Sequence, residues 1–272
     1  MGRPRIPPGV NDNLMDYLLV LPLFLMVAYY IGAPILLYVS LKITANPTLQ
    51  PAALNGLPPE LLHYFIENSK RLTADGFESR GEYQLGSDDP NAQTILAALT
   101  HADTGDHAVI AAVILRFGEE WRPLTQHTEI TTRFADGSRL CVSNRLEPDW
   151  FPPPRVKRCF RFAAAQDPRE LYRLHRRAVA CFVPDALPAE APPQFDCAAL
   201  ILQEFREDCE AQRQAKMLFL DSQQGFYHAT LRGAFLLTWQ LLFPFRAARI
   251  LRDYARDSTV RAKLLPPKRE IG

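Results

Sequence analysis

The chain has 272 residues, 47% of them hydrophobic and 22% charged, a balance that excludes an intrinsically disordered protein and allows one good-sized domain beside a membrane element. Its formal net charge of +1 hides an asymmetry: residues 1–42 carry three basic and two acidic side chains, residues 43–231 carry 19 and 25, and residues 232–272 carry nine and three. An acidic body therefore ends in a basic tail, which gains from anionic lipid headgroups when apolar sequence lies beside it.

Residues 1–16 form an N-terminal tail carrying Arg3 and Arg5. From Tyr17 to Leu41 the chain runs 25 residues without a charge. At about 1.5 Å per residue this is enough for a bilayer core of about 30 Å, and too long for the apolar region of a signal peptide. The run predicts a transmembrane helix over 17–41, an uncleaved anchor; a buried core helix is the competing reading. Pro22, Gly32 and Pro34 are tolerated inside such a helix, and Pro34 invites a kink. Tyr17 and Tyr38 are placed for the two interfaces.

A proline- and glycine-marked linker, 42–57, leads to an α+β soluble domain over 58–182. Leu61, Leu62, Phe65, Ile66 and Leu72 make one helical stripe over Glu60–Ala74. Five β-type runs follow, at Glu78–Leu85, Gln93–Ala102, His107–Phe117, Leu124–Phe134 and Ser138–Ser143, with a sixth at Val156–Phe162 beyond the Phe151–Pro154 break. Asp103-Thr104-Gly105-Asp106 and Asp136-Gly137 are hairpin signals, the second matching a type I′ turn, so an antiparallel meander of about five or six strands is expected. The third run is apolar on both faces and calls for cover on both. Asp167, Pro168 and Glu170 mark the start of a helix whose stripe is Leu171, Leu174, Ala178, Val179 and Phe182.

Residues 183–193 read as a proline-rich linker and 194–228 as a helical arm, helical over Phe195–Leu220. In 229–257, Phe235, Trp239, Phe243 and Phe245 accompany Arg246, Arg249, Arg252 and Arg256. This pattern predicts an amphipathic helix lying in the membrane interface, with a short second crossing and a core helix as alternatives. Residues 258–272 complete the basic tail. Thr131–Ser138, Asp167–His175 and Leu231–Arg246 resemble recurring blocks of uncharacterised bacterial membrane-anchored proteins. That resemblance implies bacterial membrane association and brings no activity and no site residues.

The chemistry signals are sparse. The five cysteines have no C-x-x-C pair and read as thiols in a reducing compartment. His101, Asp103, Asp106 and His107 cluster at one turn, but pairing Ala102 with His107 puts the imidazoles on opposite faces. They are read as solvent-exposed turn residues, with no metal ligands. The spacings of zincins, nucleophile-elbow hydrolases, dinucleotide-binding folds and P-loops do not occur, so neither a cofactor nor a catalytic set is expected.

One constellation stands out: Arg155, Lys157, Arg158, Arg161, Arg169, Arg173, Arg176 and Arg177 against only Asp167 and Glu170. Phe160 and Phe162 alternate away from the charge and should enter the core, which disfavours single-stranded nucleic acid. The cluster suits a solvated surface, an anion, lipid phosphates or an acidic partner such as the chain's own Glu204–Glu210. The expectation is a single-pass accessory or scaffold subunit in the bacterial inner membrane, contacting lipids and other integral subunits. Its body is expected in the cytoplasm, or in the periplasm if 233–245 crosses. The alternatives are an enzyme or sensor acting on a membrane-borne substrate, or an anionic-lipid-binding module.

Overall fold

The computed structural model describes residues 20–22, 24–86, 90–146, 151–184 and 196–264. The order begins with helix α1 (Val20–Ser40), strands β1 (Lys42–Thr44) and β2 (Leu49–Pro51), and helix α2 (Pro59–Thr73). Strands β3 (Phe77–Leu85), β4 (Ala92–His101), β5 (His107–Phe117), β6 (Glu120–Arg133), β7 (Arg139–Ser143) and β8 (Lys157–Arg161) come next. Helices α3 (Pro168–Phe182) and α4 (Cys197–Gln214), strands β9 (Leu218–Asp221) and β10 (Phe226–Ala229), and helices α5 (Leu231–Leu241) and α6 (Phe245–Leu264) complete it. Two compact units result, Thr44–Gln212 with Ile250–Gly272, and Met1–Ile43 with Arg213–Arg249.

The larger unit is α+β. Its seven-stranded sheet has the order β2-β3-β4-β5-β6-β7-β8, antiparallel except where β8 joins β7 in parallel. The meander is thus β3 to β7, and β8 is no further hairpin strand, because parallel neighbours need a crossover between them. On β5, Ala108, Ile110, Ala112 and Ile114 enter a core shared with Leu61, Phe65 and Leu72 of α2 and with Leu171, Leu174 and Ala178 of α3. Phe160 and Phe162 are buried as their alternation predicts. The opposite face of β5 begins with His107, which meets α4.

Several expectations are corrected. Strand β6 starts at Glu120 rather than Leu124, because a shift between Val113 and Ile114 leaves Leu124 bulged and seats Pro123 opposite Ile114, a place where a proline's missing N–H does no harm. The 134–138 turn is not type I′. Of its residues only Gly137 takes positive φ (80°), closing a longer loop with Gly137 N–H donating to Phe134 O. On α2 the buried stripe is Leu61, Phe65, Asn68 and Leu72, spaced i, i+4, i+7, i+11, and Ile66 is 50% exposed. Asn68 belongs there because its side chain donates to Tyr64 O at 2.8 Å. Glu170 does not close a capping box with Asp167; it pairs with Arg261, while Asp167 accepts from Arg169 N at 3.0 Å. The linker expected at 183–193 lies outside the described residues from 185 onward.

The helix expected to reach Leu220 ends at Gln214, and a hairpin of β9 and β10 follows, registered Leu218↔Ala229 to Asp221↔Phe226. Lys216 takes φ 58° at the break, and Asp221 accepts from the amides of Gln223 and Gln224 to form the turn.

That hairpin belongs to the smaller unit, a three-stranded sheet β1-β10-β9 with helices α1 and α5. Thr230 caps α5, accepting from Gly233 N at 2.9 Å. A Cβ on Gly233 would lie 2.0 Å from Met217 O, so only glycine allows this junction. Pro34 has no N–H for the carbonyl four residues back, Tyr30, and the helix answers with a π-helical stretch over Ala28–Gly32. Trp239 Nε1 donates to that same Tyr30 O at 3.1 Å, and the Tyr30 hydroxyl donates to Phe243 O. One amphipathic helix over 229–257 is not formed. Pro244 disfavours helix at Phe243 and divides the segment into α5 and α6.

Replacing Phe65 by Ala is expected to cost about 3–5 kcal/mol, whereas Ile66→Ala should stay within about 0.5 kcal/mol. Chemical-denaturation midpoints of the two variants check the assignment of the stripe.

Candidate functional site

Polar side chains of the larger unit gather in three places. The first is buried between the β4–β5 loop and α3. The β4–β5 register is Thr100↔His107, with His101 N–H donating to Asp106 O at 2.8 Å, so the loop is two residues longer than the spacing implied. Asp106 and His107 are buried, which overturns their reading as solvent-exposed turn residues. Asp106 accepts from the Thr132 hydroxyl, from Thr104 Oγ1 at 2.8 Å and from Arg176 Nη1 at 3.0 Å. Since Thr132 gives its only proton to Asp106, it accepts from His175 Nε2 at 2.8 Å, and this puts a proton on Nε2. His175 Nδ1 is buried with no hydrogen-bond partner among the described residues. Burial alone would push the Asp106 carboxyl up, and the His175, Thr132 and Thr104 contacts bring it well below the ordinary carboxylate range. Burial lowers the His175 pKa more than Asp106 raises it. This is a clamp between loop, sheet and helix. A nucleophile triad would need the carboxylate on Nδ1, and here it lies on the Nε2 side, 3.7 Å away.

The second place lies beneath α4. Glu204, Glu207 and Asp208 stand at i, i+3 and i+4, one acidic stripe aimed at the sheet. Glu204 meets His107 Nε2 at 3.3 Å and Glu207 takes Arg133 at 2.9 and 3.2 Å. Arg139, whose side chain has no exposed surface, meets Asp208 at 2.6 Å, Glu207 at 3.7 Å and Glu204 at 3.8 Å. Burial works against that guanidinium charge, and the three carboxylates outweigh it. Lys157 Nζ lies 3.4 Å from both Glu129 and Asp208.

The third place is a cleft of about 520 Å³ lined by Pro153, Pro154, Arg155, Lys157, Arg158, Cys159, Phe160, Phe182 and Arg256. Arg158 stacks on the Phe182 ring at 5.6 Å and donates to Phe182 O at 3.2 Å, and Arg256 donates to Cys159 O at 3.3 Å and to Asp257 at 3.2 Å.

The arginine-rich stretch does not act as one surface. Arg155, Lys157 and Arg158 share the cleft, whereas Arg161 pairs with Asp253 and Arg169 with Asp75 at 2.9 Å. Arg173 donates to Arg169 O, Arg176 to Asp106 and Arg177 to Leu264 O. Of the span residues, Tyr17 lies outside the described residues; Pro22 and Tyr38 are exposed, Gly32 is half-buried, and Pro34 and Leu41 are buried. Phe235 meets Trp239 edge-on at 5.5 Å, Trp239 stacks on Phe245 at 6.3 Å, and Phe243 and Phe245 are exposed. Arg246 is exposed, Arg249 pairs with Gln240, and Arg252 approaches Asp253 at 3.7 Å.

Arg139 and His175 escape a reading by composition. The signals for them are the acidic i, i+3, i+4 stripe, a place for cations opposite, and the position of His175 between Leu174 and Ala178 on a buried face. Among the described residues no group of three or more His, Cys, Asp or Glu side chains is arranged to hold a metal ion. No family model, no curated protein and no solved structure matches the chain.

Because the folded His175 pKa lies below the ordinary 6.5, the unfolded chain takes that proton first, and stability drops as pH falls below that value. Asp106 adds its own loss only below its ordinary 3.8. The denaturation midpoint should therefore fall between about pH 7 and about pH 5 and fall less in His175→Gln; equal slopes would remove the imidazole from this coupling.

Proposed function

We propose that this protein is a membrane-anchored accessory subunit, holding an α+β body at the inner membrane of a bacterium for contact with lipids and other integral subunits. The observation that carries this reading is the Val20–Ser40 helix, the one helix among the described residues that is by itself long and apolar enough to cross a membrane. Its Val20, Leu21, Phe24, Leu25, Met26, Ile31, Ile35, Leu36 and Val39 side chains are exposed, and in water that surface would be costly. Helix α5, about 16 Å long, is too short to span and supports the anchor by packing on α1 and giving the Tyr30 carbonyl a donor. In the body, the two strongest polar assemblies are buried and mutually paired, consistent with holding elements together rather than turning over a substrate.

After a carbonate wash and ultracentrifugation the chain is expected in the membrane pellet; recovery in the supernatant would overturn the anchor. Gentle detergent extraction and sizing should give a stoichiometric complex, and a monomer would overturn the subunit role. Topology is read from Cys181, which is exposed, whereas Cys141 and Cys197 are buried. With the body in the cytoplasm, a membrane-impermeant maleimide should label Cys181 only after the cells are opened.

A further inference from the structure

We propose that the cleft between Pro153–Phe160, Phe182 and Arg256 is a binding site for a phosphate ester. Among the described residues four cations line it and no carboxylate does. Two of the four are answered by acids: Lys157 by Glu129 and Asp208, Arg256 by Asp257. The other two are not. Among the described residues Arg155 is exposed with no hydrogen bond or ion pair, and Arg158 donates one N–H to Phe182 O and has no acidic partner. A guanidinium carries five N–H donors in a planar fork, so both keep donors for an anion and neither must break a salt bridge to receive one.

Phosphate, with several charged oxygens, can take forks from Arg155, Arg158 and Arg256 together, where a carboxylate is saturated by fewer. Phe160, Phe182, Pro153 and Pro154 give the same cleft an apolar wall for the organic part of an ester. At about 520 Å³ the space suits a phosphorylated small molecule or a lipid headgroup with its glycerol. The stacking of Arg158 on Phe182 holds that guanidinium in place before the ligand arrives.

The test uses the full chain in uncharged maltoside micelles, titrated calorimetrically with glycerol 3-phosphate in one arm and dihexanoyl phosphatidic acid in the other. Saturable binding in either arm, weakened about tenfold in Arg155→Gln/Arg158→Gln and unchanged in Arg173→Gln, supports the site. The arm that binds names the source, a soluble ester or a lipid. Arg155→Gln alone, at an exposed side chain with no hydrogen bond or ion pair among the described residues, should weaken binding without moving the thermal midpoint, which separates lost binding from lost folding. Absence of binding in both arms, equal binding by the double variant, or an equal loss in Arg173→Gln would overturn the proposal. None of these outcomes depends on whether α1 spans a membrane.

Discussion

A guanidinium keeps its charge even with no exposed surface, so the charge has to be answered inside the protein, and the arrangement of the larger unit follows from how Arg139 is answered. Desolvation of a lone ion costs several kcal/mol, so three carboxylates must be brought to one point. A helix offers Glu204, Glu207 and Asp208 on a single stripe, and α4 is thereby fixed over β7 through Arg139 and over β8 through Lys157. Each carboxylate has a second basic neighbour, Glu204 in His107, Glu207 in Arg133 and Asp208 in Lys157, and desolvating the whole set offsets much of its attraction, which makes the ion set a determinant of where α4 lies more than a source of net stability.

The two faces of the sheet are consequently closed by different chemistry. Against α2 and α3 the contact is apolar, built from side chains such as Phe65, Ile110, Ile130 and Leu140, and is non-directional. Against α4 it is ionic and directional. The apolar face carries a polar insertion, the Asp106–Thr132–His175 clamp, which ties the β4–β5 loop to α3 through the only proton Thr132 can give. Such a clamp orients α3, because leucines alone would accept neighbouring registers. Toward the β8 edge, among the described residues, no carboxylate answers Arg155 or Arg158, and both keep donors to spare beside an open cleft.

The smaller unit solves a different problem. Pro34 withholds a donor from Tyr30 inside an apolar helix, where no water is at hand for the free carbonyl if the helix lies in lipid. The π-helical turn and the indole N–H of Trp239 supply the remedy, and Gly233 lets α5 start hard against the Met217 carbonyl. Residues that look like helix breakers in α1 thus help to specify the second helix.

Much of this was legible in the sequence alone. Uncharged length announced the Val20–Ser40 helix, alternation placed Phe160 and Phe162 in the core, and Asp167-Pro168 marked the start of α3; each signal is local, set by a few neighbouring residues. Other features were decided by tertiary structure. The burial of Asp106, His107 and His175, the pairing of Arg139 with α4, the parallel seat of β8 and the division of a basic run into one cleft and several salt bridges all join residues far apart in the chain. A charge reads the same in sequence whether water or a carboxylate answers it, and only the fold settles which one stands opposite.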